Sequence, residues 1–217
     1  MKCFKLTDQN MRTYCGSFLW VLGEWAPTLR GLGPLCASGW YHAYDHALVA
    51  VLLNRVHADI RGPRLFEASY DGRSRTLDEH GLKRGVVSLR LDKEVPLPVI
   101  TPEQRVRIAI YCARRVYHED QSWMVWSNAW VDGRDRNPRT AESLPPLQSM
   151  GGAAQSAWAA VGSAAEMYNE RACATYAARA VVYCAPLPDS RSGVNGFCAL
   201  AERAIADENK FQEENTA

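Results

Sequence analysis

Apolar and polar positions follow two different periods along the chain, and the period changes near residue 100. Before that point, short runs of β-branched and aromatic residues are separated by Gly and Pro, a pattern typical of strands and turns. The last run predicts a half-buried strand, because three apolar residues from Val87 onward alternate with Ser88 and Arg90. We expect five strands, at Lys2–Thr7, Ser17–Leu22, Gly39–Tyr44, Arg64–Ser69 and Val86–Val95.

Helical spacing appears once within this region and dominates after it. Asp45–Val56 has the spacing of a helix, and Asp45 is a candidate for its N-cap. Thr101 and Gln104 form a capping box around Pro102, which predicts that a helix begins there. Further helices are expected at Gln121–Val131, at Ala153–Cys184 as one long alanine-rich helix, and at Val194–Ala206, followed by an acidic tail.

Strands first and helices second indicate an α+β protein. We expect an N-terminal α+β domain over residues 1–100, with a mostly antiparallel sheet and one helix. A C-terminal helical region with the alanine-rich helix should follow over residues 101–217. The polar segment Gly133–Pro146 is a candidate for a mobile connection.

Charge and cysteine content narrow the classes of function. The chain has 25 Lys and Arg against 24 Asp and Glu, so no strong overall field attracts nucleic acid or anionic lipid. Its longest apolar run is shorter than the roughly 18 residues of a membrane span, and Asp8 precedes any signal-like apolar run. Seven cysteines without a C-x-x-C pair favour free, mostly buried thiols in a reducing cytoplasm, with Cys112, Cys173 and Cys198 as core residues.

Histidines and cysteines offer candidate chemistry around residue 42. His42 and His46 have the i, i+4 spacing of a metal pair, but they are expected on different elements, so no metal site is predicted. A thiol nucleophile, Cys15 or Cys36, with His42 as its base remains open. The chain contains no phosphate-binding loop motif, and we expect no cofactor.

The order of strand, helix and strands after Gly39 resembles that of ADP-ribosyltransferases. In those enzymes a His or Arg, an aromatic residue and a Glu surround NAD. The resemblance implies His42, an aromatic residue at Tyr41 or Tyr44, and Glu94 as the candidate catalytic set. Neither H-x-T nor R-S-x-E occurs, and a solvent-facing Glu94 next to Lys93 is the alternative.

The first helix after residue 100 carries four arginines, and the second carries tryptophans at positions 123, 126 and 130. Together they would suit a nucleic-acid surface, with bases stacked on the indoles. However, the segment from residue 151 onward has 5 basic and 8 acidic residues, a net charge of −3, so we expect the tryptophans in the core. The arginines are then candidates for partner binding: Arg105, Arg107, Arg114 and Arg115.

Four segments of the first half resemble a family of uncharacterised bacteriophage and prophage proteins: MKCFKLTDQNM (1–11), WVLGEW (20–25), LCASGWYHAY (35–44) and Leu52–Asn54. This resemblance implies a viral accessory protein in a bacterial cytoplasm and carries over no catalytic residues. We therefore expect an interaction protein rather than an enzyme, one that binds a host protein and inhibits a host process or an antiviral defence. The alanine-rich helix would suit self-association. An ADP-ribosyltransferase and a nucleic-acid-binding protein are the alternatives.

Overall fold

The computed structural model describes residues 1–13, 16, 18–72, 74–76, 81–137, 140, 151–165, 170–184 and 191–216. These residues form two compact units. The first unit consists of Met1–Val99 with Pro186–Cys198, and the second of Ile100–Ala185 with Ala199–Ala217. Antiparallel strands precede a helical second half, so the predicted α+β class is confirmed.

The first unit contains two three-stranded antiparallel sheets. One sheet has the order β1 (Lys2–Thr7), β3 (Arg64–Tyr70), β6 (Leu89–Val95), and the other has the order β2 (Tyr41–Ala43), β5 (Arg84–Val86), β4 (Ser74–Thr76). Phe4 and Tyr44 join the sheets, because each backbone N–H donates to the other residue's carbonyl, at 2.7 and 2.9 Å. Cys3, Phe66, Leu89 and Leu91 from the first sheet, with Tyr41 from the second, belong to one buried apolar cluster.

Two of the strand predictions need correction. The single strand expected over Val86–Val95 is interrupted at residues 87 and 88, because the Val87 carbonyl accepts a hydrogen bond from Leu29 instead of continuing one ladder. Residues 18–22 form no strand, and Leu19 makes only an isolated bridge with Arg12. Ser17 lies outside the described residues.

Helix α1 spans Ala47–His57 and begins one residue later than its predicted cap implies. His46 is the N-cap, since its Nδ1 accepts a hydrogen bond from the Leu48 N–H at 3.3 Å. The carboxylate of Asp45 instead accepts two hydrogen bonds from Arg84, at 2.7 and 2.6 Å. Asp45 therefore forms a tertiary ion pair with Arg84 and does not cap the helix, although its residue type and position favour an N-cap.

The second half of the chain is helical in every described segment that has regular structure. The capping box is confirmed, because Thr101 and Gln104 exchange hydrogen bonds at 2.9 and 3.2 Å. The three tryptophans at positions 123, 126 and 130 are buried, as predicted. No helix among the described residues has the length and apolar character needed to cross a membrane. The helices are α2 (Pro102–Val116), α3 (Gln121–Val131), α4 (Gly152–Ala165), α5 (Glu170–Cys184) and α6 (Arg191–Thr216).

The prediction of one alanine-rich helix over Ala153–Cys184 is wrong. The segment contains two helices, α4 and α5, which pack against each other and against α2. Small side chains let separate helices approach closely, so the alanine pattern reflects packing between two helices rather than one long helix. Most of the predicted Gly133–Pro146 connection lies outside the described residues. Five of the six described cysteines are buried, as predicted, and Cys36 is exposed.

Helix α6 continues ten residues beyond its predicted end because part of the acidic tail is buried. The carboxylate of Glu208 accepts hydrogen bonds from Arg107 at 2.8 Å and from Arg136 at 2.7 and 2.9 Å. The Arg136 guanidinium also lies 3.9 Å from the centroid of the Phe211 ring. Burial raises the pKa of Glu208, but the hydrogen bonds from Arg136 and Arg107 outweigh it, so its pKa lies below the ordinary value.

Replacing Glu208 with Gln should destabilise the protein by about 3–5 kcal/mol, because it leaves two guanidiniums without their shared buried carboxylate. Urea unfolding at neutral pH measures this loss. Glu214→Gln is the matched control on the same helix. Glu214 forms an exposed pair with Lys210 at 3.8 Å, so its loss should cost no more than about 1 kcal/mol. Equal effects of the two substitutions would contradict the structural role of Glu208.

The Glu208 ion pairs should also make stability depend on acid pH. Because the pKa of Glu208 is lower in the folded state, its contribution is complete above the ordinary value of 4.5. The contribution is lost as the pH falls through the lowered folded-state pKa. The difference in unfolding free energy between wild type and Glu208→Gln should therefore shrink below pH 4.5, and a constant difference from pH 7 to pH 3 would refute this.

Candidate functional site

A cleft of about 460 Å³ opens in the first unit, next to the Phe4–Tyr44 junction of the two sheets. Strands β1 and β2, the loop before β2, the end of α1 and the residue before β5 supply its walls. The lining combines basic, aromatic and thiol groups, and no carboxylate belongs to it among the described residues. The lining groups with chemical potential are Lys5, Cys36, His42, Tyr44, His57 and Lys83.

Lys5 and Lys83 are the two charged and buried residues of this set, with 8% and 6% of each residue exposed. Lys5 has the following contacts. Its Nζ donates a hydrogen bond to the carbonyl of His42 at 2.8 Å and lies 5.6 Å from the centroid of the Trp20 ring. Lys5 forms no ion pair with any carboxylate that the structure describes. Burial lowers its pKa to about 8; the neighbouring Cys3 acts to raise this pKa, and the positive charge of Lys83 acts to lower it.

His42 is held as a neutral side chain. Its Nε2 lies 2.5 Å from the carbonyl oxygen of Leu35, an acceptor, so Nε2 carries the proton and donates it. Burial lowers the pKa of His42 to about 4, although the hydrogen bond to Leu35 acts in the opposite direction. A histidine fixed in this way contributes a positioned ring and no positive charge at neutral pH.

Tyr44 and His57 form a second polar pair in the cleft. The Tyr44 hydroxyl lies 3.3 Å from Nδ1 of His57, and the two rings stack with centroids 5.9 Å apart. Both residues are set by α1, since Tyr44 precedes the helix and His57 is its last residue. A hydroxyl bonded to an imidazole can donate or accept a proton, so the pair is a candidate acid–base couple.

Of the two predicted thiol nucleophiles, Cys15 and Cys36, the structure describes only Cys36. Cys36 is exposed, lines the cleft, and has its Sγ 3.5 Å from Nζ of Lys83. The hydrogen bond from Lys83, and not one from His42, is therefore the contact at this thiol. Cys15 lies outside the described residues.

The candidate set implied by the ADP-ribosyltransferase resemblance is only partly brought together. His42 and Tyr44, with Tyr41, line the cleft, but Glu94 does not. Glu94 lies on β6, where both of its carboxylate oxygens accept hydrogen bonds from Arg64, at 2.8 and 2.6 Å. These bonds lower the pKa of Glu94 and keep it as an ion-paired carboxylate at the surface.

The arginines proposed for partner binding are unequally accessible. Arg107 is buried against Glu208, and Arg114 is half-buried with its Nε bonded to the Ser127 hydroxyl at 3.1 Å. Arg105 is also half-buried, and Arg115 alone of the four is fully exposed. The set is therefore not one exposed basic face.

Sequence reasoning missed Lys5 and Lys83. A signal for Lys5 exists, because it lies between apolar neighbours in a strand whose two faces are both largely buried. Lysine is almost never fully buried without a partner, so its presence in such a strand marks a candidate site. Lys83 lies in a polar stretch and carries no comparable signal.

The described residues contain no group of three or more His, Cys, Asp or Glu side chains that could hold a metal ion. Lysines in the cleft would also repel a cation. Comparisons with protein-family models, with curated proteins and with solved structures found no match to this chain.

Gly85 packs tightly against Trp40, which lines one wall of the cleft. It pairs with His42 across β2 and β5, and a Cβ at this position would clash with Leu35 and lie 3.2 Å from Cβ of Trp40. Gly85→Ala should therefore cost about 1–3 kcal/mol of stability through overpacking and should change the Trp40 fluorescence. Gly162→Ala is the control, since α4 leaves open space there and the change should stabilise by about 0.5–1 kcal/mol. If both substitutions stabilised the protein, the tight packing of Gly85 against Leu35 and Trp40 would be contradicted.

The neutral state of His42 can be measured directly. Its imidazole resonances should titrate near pH 4 in the folded protein, whereas an ordinary histidine titrates near 6.5. The unfolded chain binds the proton first as the pH falls, so stability should decrease from about pH 6.5 towards pH 4. His42→Gln should remove this part of the pH dependence, and a midpoint near 6.5 for His42 would contradict its burial.

Proposed function

We propose that the cleft of the first unit binds a small organic anion, a phosphate or carboxylate carried on a planar ring. The observation that carries this proposal is Lys5, a buried ammonium group in the cleft with a backbone carbonyl as its only hydrogen-bond acceptor among the described residues. Burying a charge is costly unless an opposite charge compensates it. An anionic ligand would supply that compensation.

The remaining lining supports the same class of ligand. Lys83 adds a second positive charge, and the volume of about 460 Å³ falls within the range of roughly 300–1,000 Å³ typical of small-molecule sites. Trp40, Tyr41 and Tyr44 give the cleft aromatic walls, which favour a planar ligand. Because His42 is neutral, recognition of the anion falls to the two lysines.

The proposal predicts selective binding of phenyl phosphate over phenol, a pair that differs in the anionic group. Lys5→Met and Lys83→Met should each weaken binding of phenyl phosphate by about tenfold or more, since each removes a charged hydrogen-bond donor. Isothermal titration calorimetry measures the affinities, and circular dichroism verifies that each variant folds. Lys93→Met, at an exposed position on β6, is the control and should bind as the wild type does. Equal affinity for phenol and phenyl phosphate would refute the proposal.

Binding of the anion should depend on the protonation of Lys5. The anion favours the charged ammonium, so affinity should fall as the pH rises through about 8, the pKa of Lys5 in the free protein. By linkage, the bound anion should raise that pKa. Titrations with phenyl phosphate between pH 6.5 and pH 9.5 measure this dependence, and constant affinity would show that Lys5 does not contact the anion.

We also propose that the chain binds a protein of a bacterial host, as its resemblance to bacteriophage proteins implies. The observation that favours this function is an apolar surface segment, Leu19–Trp25, in which Leu19, Val21, Leu22 and Trp25 are each 48–52% exposed. Clustered exposed apolar side chains are typical of protein interfaces. This segment replaces the half-buried arginines as the favoured contact.

Affinity capture from bacterial lysate tests the second function. The wild type and Val99→Asp, a control at a residue that is 88% exposed, should retain one host protein in stoichiometric amount. Leu22→Asp should lose it, because a charge in the apolar segment opposes burial at an interface. Capture of no stoichiometric protein by the wild type, or undiminished capture by Leu22→Asp, would contradict binding through this segment.

A further inference from the structure

We propose that Lys5 is a nucleophile whose ε-amino group condenses with the carbonyl of a small anionic aldehyde or keto acid to form an imine. The cleft would then take its ligand as a covalent, reversible Schiff base. This inference rests on the proposed anion binding, since the positive charge of Lys83 would hold the anionic group while Lys5 reaches the carbonyl carbon.

The surroundings of Lys5 suit a reacting amine. Lys5 lines the cleft, and the hydrogen bond from its Nζ to the His42 carbonyl fixes the position of the amine. The residue is only 8% exposed, and the Trp20 ring centroid lies 5.6 Å from Nζ. A desolvated lysine next to a second cation is the arrangement that activates an amine, because both effects disfavour the ammonium form.

The lowered pKa of Lys5 favours this chemistry. Because burial lowers that pKa to about 8, the free amine of Lys5 is populated close to neutral pH. Exposed lysines of the same chain provide the comparison: Lys2, Lys93 and Lys210.

The reaction balances without an oxidant or a reductant. The amine lone pair attacks the carbonyl carbon and forms a C–N bond; the nitrogen releases one proton and the carbonyl oxygen takes one up, which gives a carbinolamine. The hydroxyl group then leaves with a second proton as water, and the nitrogen releases its remaining proton, which leaves the C=N bond of the imine. The Tyr44 hydroxyl, bonded to His57 in the same cleft, is the group that can deliver and take back the proton.

The test uses the intact protein with pyridoxal 5′-phosphate and with pyridoxal, two aldehydes that differ by the phosphate group. Borohydride converts each imine into a stable secondary amine, and peptide mass spectrometry locates it among the five lysines of the chain. We expect pyridoxal 5′-phosphate to label Lys5 at least tenfold faster than any exposed lysine, and pyridoxal to label Lys5 more slowly. The labelling rate should rise with pH and level off above about 8.

Two variants serve as controls. Lys5→Arg keeps a positive charge but cannot form this adduct, so the fast labelling should disappear while the exposed lysines react as before. Lys83→Met should remove the advantage of the phosphate compound over pyridoxal, and it should slow the labelling of Lys5 by both aldehydes, because losing the neighbouring positive charge raises the pKa of Lys5.

The outcomes separate the two proposals. Labelling of Lys5 no faster than Lys2, Lys93 or Lys210 would overturn the nucleophile, and selective binding of phenyl phosphate would still stand. Fast and equal labelling of Lys5 by both aldehydes would support the nucleophile and contradict anion recognition.

Discussion

The two hydrogen bonds between Phe4 and Tyr44 are the constraint on which the first unit depends, because they join its two sheets. Each sheet alone has three strands, and the junction sets the edge of β1 against the end of β2. Lys5 follows Phe4, so the junction places its ammonium group beside the His42 carbonyl.

Burial disfavours the charged forms of both Glu208 and Lys5, but the protein compensates only one of these charges. Glu208 is compensated by Arg107 and Arg136, so its ionised form is favoured and the network stabilises the second unit. Lys5 has no such counter-charge among the described residues, and its pKa is lowered instead. A structural ion pair and a candidate functional group are thus distinguished by whether the protein itself provides the partner.

Anion binding and imine formation make opposite demands on Lys5, and its pKa reconciles them. The ammonium form attracts the anion, while the neutral amine attacks the carbonyl. A pKa of about 8 keeps both forms populated near neutral pH, which an ordinary lysine does not achieve. The neutral His42 adds no positive charge to this balance.

Local patterns determined the α+β class, strand β1, the start of α2 and the buried tryptophans of α3, because caps, alternation and helical spacing act within a few residues. Tertiary contacts decided the rest. They divided the alanine-rich segment into two packed helices and extended α6 through buried Glu208. They also placed Lys5, His42 and Lys83, which lie far apart in the sequence, in one cleft. No local sequence pattern predicts this arrangement, because burial and charge compensation depend on residues far apart in the chain.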